Sequence, residues 1–463
     1  MPASPRVPWS QSPRVRRVLG VLGIDRAIFY TLIGRGWSAL AGPVSLFFIA
    51  RFLTREEQGF YYTFGSVLAL QVFFELGLAY VIMQSVSHEK AHLEWTADDT
   101  VLTGDPHAKA RLASLFRLAV KWYAVVALAV IVALVPAGFV FFGRGEAGSP
   151  SVAWQVPWLL VVLATAVNLA VTPFVGVLEG CGKVPEITGL QARQAIIGSL
   201  TIWITMALHA RLYAAPMLAI VSILMGTGWL FRYRRAFFAD LWATPIPAGA
   251  AVRWRTEILP FQWKMSLSWL SGYFIFQLSN PIMFKYHGAV EAGRMGMSQR
   301  VVDSIMSLAF AWVATKSAPF GSHVARRDFR TLDAVFKKAF WQSLGVVVAG
   351  VGAFLAVYGL VAHAGVPYVN RVLDWPALCC MSLTAIASVI IFNEAVYLRA
   401  HKQEPLLVNN LVSACLIPTV TYLLGRPYGG LGITSGVCAL TLFFGLPWAT
   451  WVFFKKKREW HGA

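Results

Sequence analysis

The sequence is poor in charged residues, and this scarcity excludes most classes of soluble protein. Only 13% of its 463 residues are Asp, Glu, Lys or Arg, whereas 57% are hydrophobic and the mean hydropathy is +0.60. Soluble globular domains carry about 25% charged residues. A chain with 18 Trp and 31 Phe cannot hide all of them in soluble cores. The composition therefore excludes a disordered chain, a secreted disulfide scaffold and a soluble multidomain enzyme.

Cysteines and nucleotide-binding motifs are also scarce. The five cysteines lie in or next to apolar runs, without metal-ligand spacing, so we interpret them as packing residues. The string closest to a phosphate-binding loop, EGCGKV around Lys183, lacks the Ser or Thr that follows the lysine in that motif. We therefore expect no ATP hydrolysis, no metal site and no bound cofactor.

Apolar runs long enough to cross a bilayer recur along the whole chain. A helix of about 20 apolar residues spans the hydrocarbon core. The sequence therefore predicts an all-α, polytopic membrane protein with about twelve transmembrane helices. The predicted spans cover residues 27–50, 60–84, 117–142, 153–178, 187–208, 212–231, 258–282, 291–315, 338–362, 373–398, 405–424 and 430–454.

The distribution of cations orients these spans. Cytoplasmic loops of membrane proteins carry an excess of Lys and Arg. With the N-terminus in the cytoplasm, 28 of the 40 Lys and Arg lie in the tails and loops on that side, and eight lie outside. The N-terminal segment is rich in Pro and Arg and lacks the apolar core of a signal peptide. Both termini are thus predicted to be cytoplasmic, and the net charge of +18 reflects membrane orientation, not nucleic-acid binding.

Two short matches indicate an internal repeat of six spans. RFLTREEQG (51–59) aligns with KYHGAVEAG (285–293) at an offset of 234, and LEGCGKVP (178–185) aligns with LRAHKQEP (398–405) at an offset of 220. Two parallel repeats imply a pseudo-two-fold axis along the membrane normal. The predicted units are a basic tail at 1–26, a six-helix bundle at 27–232, a cytoplasmic linker at 233–257, a second bundle at 258–454 and a basic tail at 455–463.

Two cations stand out inside the predicted spans. A charge at the centre of a membrane helix costs at least about 2.5–3.5 kcal/mol. Arg35 and Lys264 lie in the inner halves of spans one and seven, which the repeat makes equivalent. Each either snorkels to the interface or lines an inward-facing cavity, and a cation on both bundles would attract a phosphate or pyrophosphate.

The remaining intramembrane charges call for partners. Glu75 has no cation three or four residues away, and Arg35 of span one is the partner that we hypothesise. Arg300 and Asp303 share a helical face, so a local ion pair is expected, with either a structural or a coupling role. Glu394 lies about one turn from the inner end of its span and is expected to reach the interface.

Three stretches carry a family resemblance. They are ARFLTREEQGFYYTFGSVLALQVFFELGLAYVIMQSVSHE (50–89), GRMGMSQRVVDSIMSLAFAWVATKSAPFGSHVARRDF (293–329) and YLRAHKQEP (397–405). They resemble the Wzx-type, O-antigen-flippase-like polysaccharide exporters of the multidrug/oligosaccharidyl-lipid/polysaccharide (MOP) superfamily. The resemblance implies a V-shaped bundle of two six-helix halves in the bacterial inner membrane. It also implies alternating access, coupled to a gradient such as Na⁺ or H⁺.

The expected function is non-enzymatic flipping of undecaprenyl-pyrophosphate-linked oligosaccharides, the repeat units of O-antigen or exopolysaccharide. Arg35 and Lys264 are the predicted substrate contacts, and Glu75, Arg300 and Asp303 are the predicted coupling or gating residues. The implied partners are the lipid-linked oligosaccharide, membrane lipids, a glycan polymerase and a chain-length regulator. One alternative is a cation-coupled drug or metabolite antiporter of the same superfamily, which would need an acidic cavity. A membrane glycan polymerase or ligase is disfavoured by the short outer loops.

Reversal of both charges tests the hypothesised Arg35–Glu75 pair. Arg35→Glu or Glu75→Arg alone should abolish export, because each places two like charges together in the membrane. The double variant should restore it. Surface polysaccharide in a strain that lacks the native gene measures the outcome. Loss in both single variants without recovery in the double variant, at normal protein abundance, would contradict the pair.

Overall fold

Helices make up almost all of the chain. The computed structural model describes residues 26–145, 152–401 and 403–461, so the predicted N-terminal tail lies almost wholly outside the described residues. Two short antiparallel strands, β1 (Leu93–Trp95) and β2 (Leu102–Gly104), form a hairpin. The helices are α1 (Arg26–Phe52), α2 (Arg55–Leu68), α3 (Val72–Glu75), α4 (Leu78–Lys90), α5 (Pro106–Gly145), α6 (Gln155–Gly180), α7 (Val184–Ala207), α8 (Met217–Tyr233), α9 (Arg235–Ala243), α10 (Leu259–Phe276), α11 (Ser279–Ala314), α12 (Ser317–Ala325), α13 (Phe329–His363), α14 (Trp375–Arg399), α15 (Leu407–Leu440) and α16 (Leu446–His461).

The predicted fold class is confirmed, because the chain is an all-α, polytopic membrane protein. Within the described residues, six helices are long and apolar enough to cross a membrane, and the bent α2–α4 segment makes a seventh. Each of the twelve predicted spans coincides with a helical segment. The longest apolar helical stretch, 54 residues from Leu407 to Trp460, contains two of these spans.

Breaks in long helices fall at equivalent positions of the proposed repeat. Gly429 (φ 60°) folds α15 back on itself, so that Gly436 lies against Val420. His209 (φ 57°), 220 residues earlier, ends the hairpin between α7 and α8. Gly288 (φ 84°) interrupts α11, and the position 234 residues earlier is the N-cap of α2. The turns therefore recur at the two offsets that the sequence matches give.

Local sequence determines where the helix of span two begins and where it breaks. The segment TREE starts α2 with a capping box, in which Thr54 and Glu57 each bond the other's backbone N–H, at 3.1 and 2.9 Å. The span breaks after Glu75, where Leu76 (φ 53°) and Gly77 (φ 67°) are both left-handed, and the two parts are bent by 44°. A left-handed leucine is strained, so the break depends on the packing around it.

Aromatic clusters form the core of each half of the chain. In the first half, the rings of Phe60, Phe142 and Trp158 are buried together, and a Cβ at Gly138 would meet the Trp158 indole at 2.0 Å. In the second half, Phe336, Tyr397 and Phe453 make a separate cluster. The first cluster continues into the second half, because the Phe284 ring packs on those of Phe60 and Phe142.

A network of charges anchors the hairpin at the predicted cytoplasmic end. Asp99 pairs with Lys183 and with Arg234, the latter at 3.0 Å. Arg234 also binds Glu186 at 2.5 Å, and both cations lie over the Trp95 ring. Because Arg234 is only 6% exposed, its charge requires these partners. The hairpin is thereby joined to α7 and α8.

The predicted linker at 233–257 is partly helical. It contains α9, whose residues Phe237 and Leu241 are buried. Arg117 of α5 donates to the carbonyl oxygens of Trp242 and Thr244, at 2.5 and 2.6 Å. The linker is thus packed against the first half of the chain.

Neutralisation of Asp99 tests the anchoring network. Hydrogen bonds from Lys183 and Arg234 lower the pKa of Asp99 from 3.8, against the opposing effect of its partial burial. The stabilisation is therefore present above pH 3.8 and lost as the pH falls through the lowered folded pKa. We expect Asp99→Asn to lower the free energy of unfolding by about 1 kcal/mol at neutral pH, since the site is partly exposed. Asp98→Asn, beside it but without a cation partner, is the control in thermal unfolding, and equal effects would contradict the network.

Candidate functional site

The two halves of the chain meet where α2 crosses α11, at the predicted outer end. A Cβ added to Gly59 would lie 1.8 Å from the Ala289 carbonyl oxygen, and one added to Gly293 would lie 2.9 Å from the Gly59 nitrogen. One turn further, a Cβ at Gly296 would lie 2.5 Å from Tyr62. The repeat aligns Gly59 with Gly293, so equivalent residues of the two halves touch. We call this contact the glycine seam.

Hydrogen bonds hold the glycine seam at its outer end. Gln58 of α2 donates to the carbonyl oxygens of Gly293 and Arg371, at 2.8 and 3.0 Å. The Arg371 guanidinium donates to Gln58 Oε1 at 3.2 Å and to the Leu53 carbonyl oxygen at 2.8 Å. Gln58 is buried, and most of its hydrogen-bonding capacity is used by the other half of the chain. The seam is therefore closed in this structure.

Below the seam, polar groups from the two halves face each other. The Asn280 amide donates to Ser66 Oγ at 3.4 Å, and Ser266 donates to the Leu76 carbonyl oxygen at 3.0 Å, beside the break in span two. Among the described residues, the buried side-chain oxygens of Gln262 and Asn280 have no hydrogen-bond partner. Buried oxygens of this kind require a donor from water or a ligand. This region is thus equipped to contact a polar guest.

Glu75 lies at the break in span two and is hydrogen-bonded to another helix. Tyr123 of α5 donates to Glu75 Oε1 at 2.9 Å. The side chain of Arg35 lies outside the described residues, so the hypothesised Arg35–Glu75 pair stays a prediction. Tyr123 was missed in the sequence because nothing in its own segment distinguishes it from other buried tyrosines.

The local ion pair expected between Arg300 and Asp303 is not formed. Both side chains are exposed, and the ion pairs within 4.0 Å among the described residues do not include this one. Helical spacing alone therefore does not bring the two charged groups into contact. Arg300 lies one turn after Gly296, on the face of α11 that packs on α2. One turn further, the Ser304 hydroxyl lies 3.2 Å from a Cβ placed at Gly42, so α11 also approaches α1. The two charges therefore lie next to the junction of α1, α2 and α11.

The side chains of the two predicted substrate contacts, Arg35 and Lys264, lie outside the described residues, so their roles stay predictions. Position 35 precedes Gly42 by about two helical turns, and so shares the face of α1 that approaches α11. Position 264 is two residues before Ser266, which contacts the first half of the chain.

Glu394 does not reach the interface, as expected from the sequence, but is buried within the second half. It is 4% exposed and accepts a hydrogen bond from Thr450 at 2.9 Å. Its Oε2 has no partner among the described residues. The expectation was wrong because α14 packs against α13, α15 and α16, which close around the carboxyl group.

The segment HEKAH (88–92) has the HExxH spacing of zinc-binding helices. In the structure, α4 ends at Lys90, so His92 lies beyond the helix, and Glu89 pairs with Arg111 at 2.8 Å. Within the described residues, no group of three His, Cys, Asp or Glu side chains is placed to hold a metal ion. The spacing alone therefore does not make a metal site here.

Solved structures share this architecture. No protein-family model and no curated protein matches the chain in sequence. An inward-facing multidrug resistance MATE transporter of the MOP superfamily matches 94% of the chain and 99% of its own length, with 13% identity and a TM-score of 0.61. The lipid II flippase MurJ, in an inward closed conformation, matches 93% of the chain and 87% of its own length, with 12% identity and a TM-score of 0.61. The chain has the fold of the MOP transporters.

An outward-facing MATE transporter of the same superfamily matches 94% of the chain and 97% of its own length, with 12% identity and a TM-score of 0.55.

Substitution at the glycine seam tests whether the halves close there. Gly59→Ala places a methyl group against the backbone of Ala289, and overpacking of this kind costs about 1–3 kcal/mol. We expect a lower midpoint of thermal unfolding in detergent. Gly65→Ala, on the same helix but with no atom within 4 Å of the added Cβ, is the control and should be neutral or stabilising. Equal behaviour of the two variants would show that the seam is not closed in the protein.

Proposed function

We propose that this multi-pass membrane protein is a flippase for undecaprenyl-pyrophosphate-linked oligosaccharides in the bacterial inner membrane, and that it works by alternating access. One observation carries the proposal. Three helices near the glycine seam each bear a cation: α1 carries Arg35, α11 carries Arg300 and packs on α1, and α10 carries Lys264 and contacts span two at its break. A group of cations between two low-dielectric bundles attracts an anion such as pyrophosphate.

The geometry supports different roles for the two ends of the bundle, with substrate entry at the inner end and release at the outer end. The closed seam blocks the predicted outer end, so the substrate enters from the cytoplasmic side and its pyrophosphate meets Arg35 and Lys264. Opening of the seam would then release it outward. Gly59 and Gly293 suit this motion because no side chains interlock at the crossing. Glu75, at the break in span two, and Arg300 and Asp303, exposed on α11, are the proposed coupling or gating residues, with Na⁺ or H⁺ as the coupling ion.

Orientation and assembly form part of the proposal. Both termini are cytoplasmic, as the excess of Lys and Arg on that side supports. The halves at 27–232 and 258–454 move against each other around the seam, with the segment at 233–257 carried by the first half. A glycan polymerase and a chain-length regulator would receive the flipped unit.

A drug or metabolite antiporter is the second candidate, because the fold is equally similar to a MATE transporter. Such a function would use Glu75 and Asp303 to bind a cationic guest. The three cations of the same region oppose it, since a cationic guest would be repelled by them. The polymerase or ligase alternative has no support from the solved structures, which are transporters and a flippase.

Neutralisation of the two inner cations tests the proposal. Arg35→Gln or Lys264→Gln should each reduce flipping of a fluorescent lipid-linked oligosaccharide in proteoliposomes at least about tenfold, because a charged hydrogen bond to phosphate is worth about 1.5–3 kcal/mol. Lys121→Gln removes a cation from α5, near the inner end of its predicted span, and is the control.

Surface polysaccharide in cells should fall in the same two variants at normal protein abundance. Full activity in both would identify these residues as snorkelling cations. If the wild-type protein takes up a cationic dye but does not flip the lipid-linked oligosaccharide, the antiporter function is favoured.

A further inference from the structure

A second cluster of cations lies at the opposite end of the glycine seam. A cavity of about 250 Å³ opens there, lined by Ala50, Arg51, Arg55, Pro367, Tyr368 and Arg371. Arg51 and Arg55 come from the end of α1 and the start of α2, and Arg371 comes from the turn before α14. The two halves of the chain thus contribute to one arginine-lined cavity, which we call the outer arginine cavity.

The arginines of this cavity lack acidic partners. Among the described residues, no carboxylate oxygen lies within 4.0 Å of Arg51, Arg55 or Arg371, although nearby arginines are paired: Arg211 binds Glu57 at 3.3 Å, and Arg294 binds Glu291 at 2.8 Å. The pairing of neighbouring arginines shows that acidic partners are used at this end of the bundle. What distinguishes the outer arginine cavity is that three such arginines, two from the first half of the chain and one from the second, line a single cavity.

The guanidinium of Arg371 is held by neutral hydrogen-bond acceptors. They are Gln58 Oε1 and the Leu53 carbonyl oxygen. Burial, and then the positive charge of Arg55, lower the pKa of Arg371, whereas the more distant charges of Glu56 and Glu57 act against this shift. A like charge beside a half-buried guanidinium is unfavourable, and an anion bound in the cavity would relieve it.

We propose that the outer arginine cavity binds a phosphate group that bridges the two halves. Guanidinium groups bind phosphate oxygens in a bidentate manner. A water molecule occupies about 30 Å³ of liquid, so the cavity has room for a phosphate group and several waters. The exposed ring of Tyr368 lies at the rim, where a phenol suits the membrane interface. The phosphate belongs either to a phospholipid headgroup or to a free anion such as pyrophosphate.

Binding at this cavity would favour the closed seam. Arg51 and Arg55 lie beside Arg371 because Gln58 joins α2 to the Arg371 turn. If the halves separate at the outer end, the three guanidinium groups no longer surround one anion. A ligand stabilises the state that it binds better. This inference goes beyond the proposed function, because phosphate binding at the outer arginine cavity does not depend on which substrate the inner cations bind.

The experiment uses the full-length protein and two sources of phosphate. In one arm, sodium pyrophosphate is titrated at constant ionic strength into protein in nanodiscs of phosphatidylcholine. In the other arm, nanodiscs of phosphatidylglycerol are compared with those of phosphatidylcholine. The midpoint of thermal unfolding is measured in both. The test variant is the double substitution Arg51→Gln with Arg55→Gln, since these exposed side chains make no hydrogen bonds that hold the seam.

We expect a rise in the midpoint of the wild-type protein in at least one arm, and at least about a tenfold loss of apparent affinity, or loss of the lipid effect, in the double variant. A rise only with phosphatidylglycerol identifies a headgroup site, and a rise only with pyrophosphate identifies a free-anion site. The control Arg426→Gln removes an outer cation that lies over Tyr286, away from the cavity, and should respond as the wild type does.

The proposal is overturned if the wild-type protein responds in neither arm, if the double variant responds like the wild type, or if Arg426→Gln loses the response equally. A misfolded variant is recognised by its midpoint without ligand, which should equal or exceed that of the wild type because like charges have been removed. Should it be lower, Arg51→Lys with Arg55→Lys serves in its place. That variant keeps the charge but loses the bidentate geometry, and its weaker response to the phosphate source would support the site, whereas an unchanged response would refute it.

Discussion

The approach of two backbones at the glycine seam is the constraint on which the rest of the structure depends. At Gly59 and Gly293 the helices α2 and α11 are too close for any side chain. This crossing brings Gln58 to the other half of the chain and places Arg371 beside the start of α2. It also determines which face of α11 turns toward α1 and α2, and so where Arg300 lies. The inner cations and the outer arginine cavity are thus arranged at the two ends of one contact.

The charges of the molecule fall into two kinds, which differ in how they are neutralised. At the predicted cytoplasmic end, Asp99 and Arg234 belong to a network with short ion pairs, typical of structural charges. Arg300, Arg51 and Arg55 have no such partner among the described residues. These three arginines lie at the two ends of the seam, where the proposals above place anionic ligands.

The sequence predicted the features that depend on local pattern, and it failed where distant helices decide the outcome. Apolar run length was sufficient to place all twelve helical segments, and the glycine shared by the first repeat match, Gly59 and Gly293, forms the seam. Glu394 was misplaced because burial near a helix end depends on which helices close around it, and Thr450 lies 56 residues further along the chain. Helical spacing likewise permitted an ion pair between Arg300 and Asp303, but spacing alone does not determine whether the two side chains contact each other.

The seam also bears on the energetics of alternating access. Opening it would break the bonds from Gln58 to Gly293 and from Arg371 to Leu53, and each such bond contributes about 0.5–1.5 kcal/mol net. Glycines bury little side-chain surface, so the crossing itself adds a small apolar contribution. The closed and open states would then differ by only a few kcal/mol, a gap that differential binding of one ligand can reverse. A seam built from large apolar side chains would close more firmly, but the binding of a single substrate or ion could no longer open it.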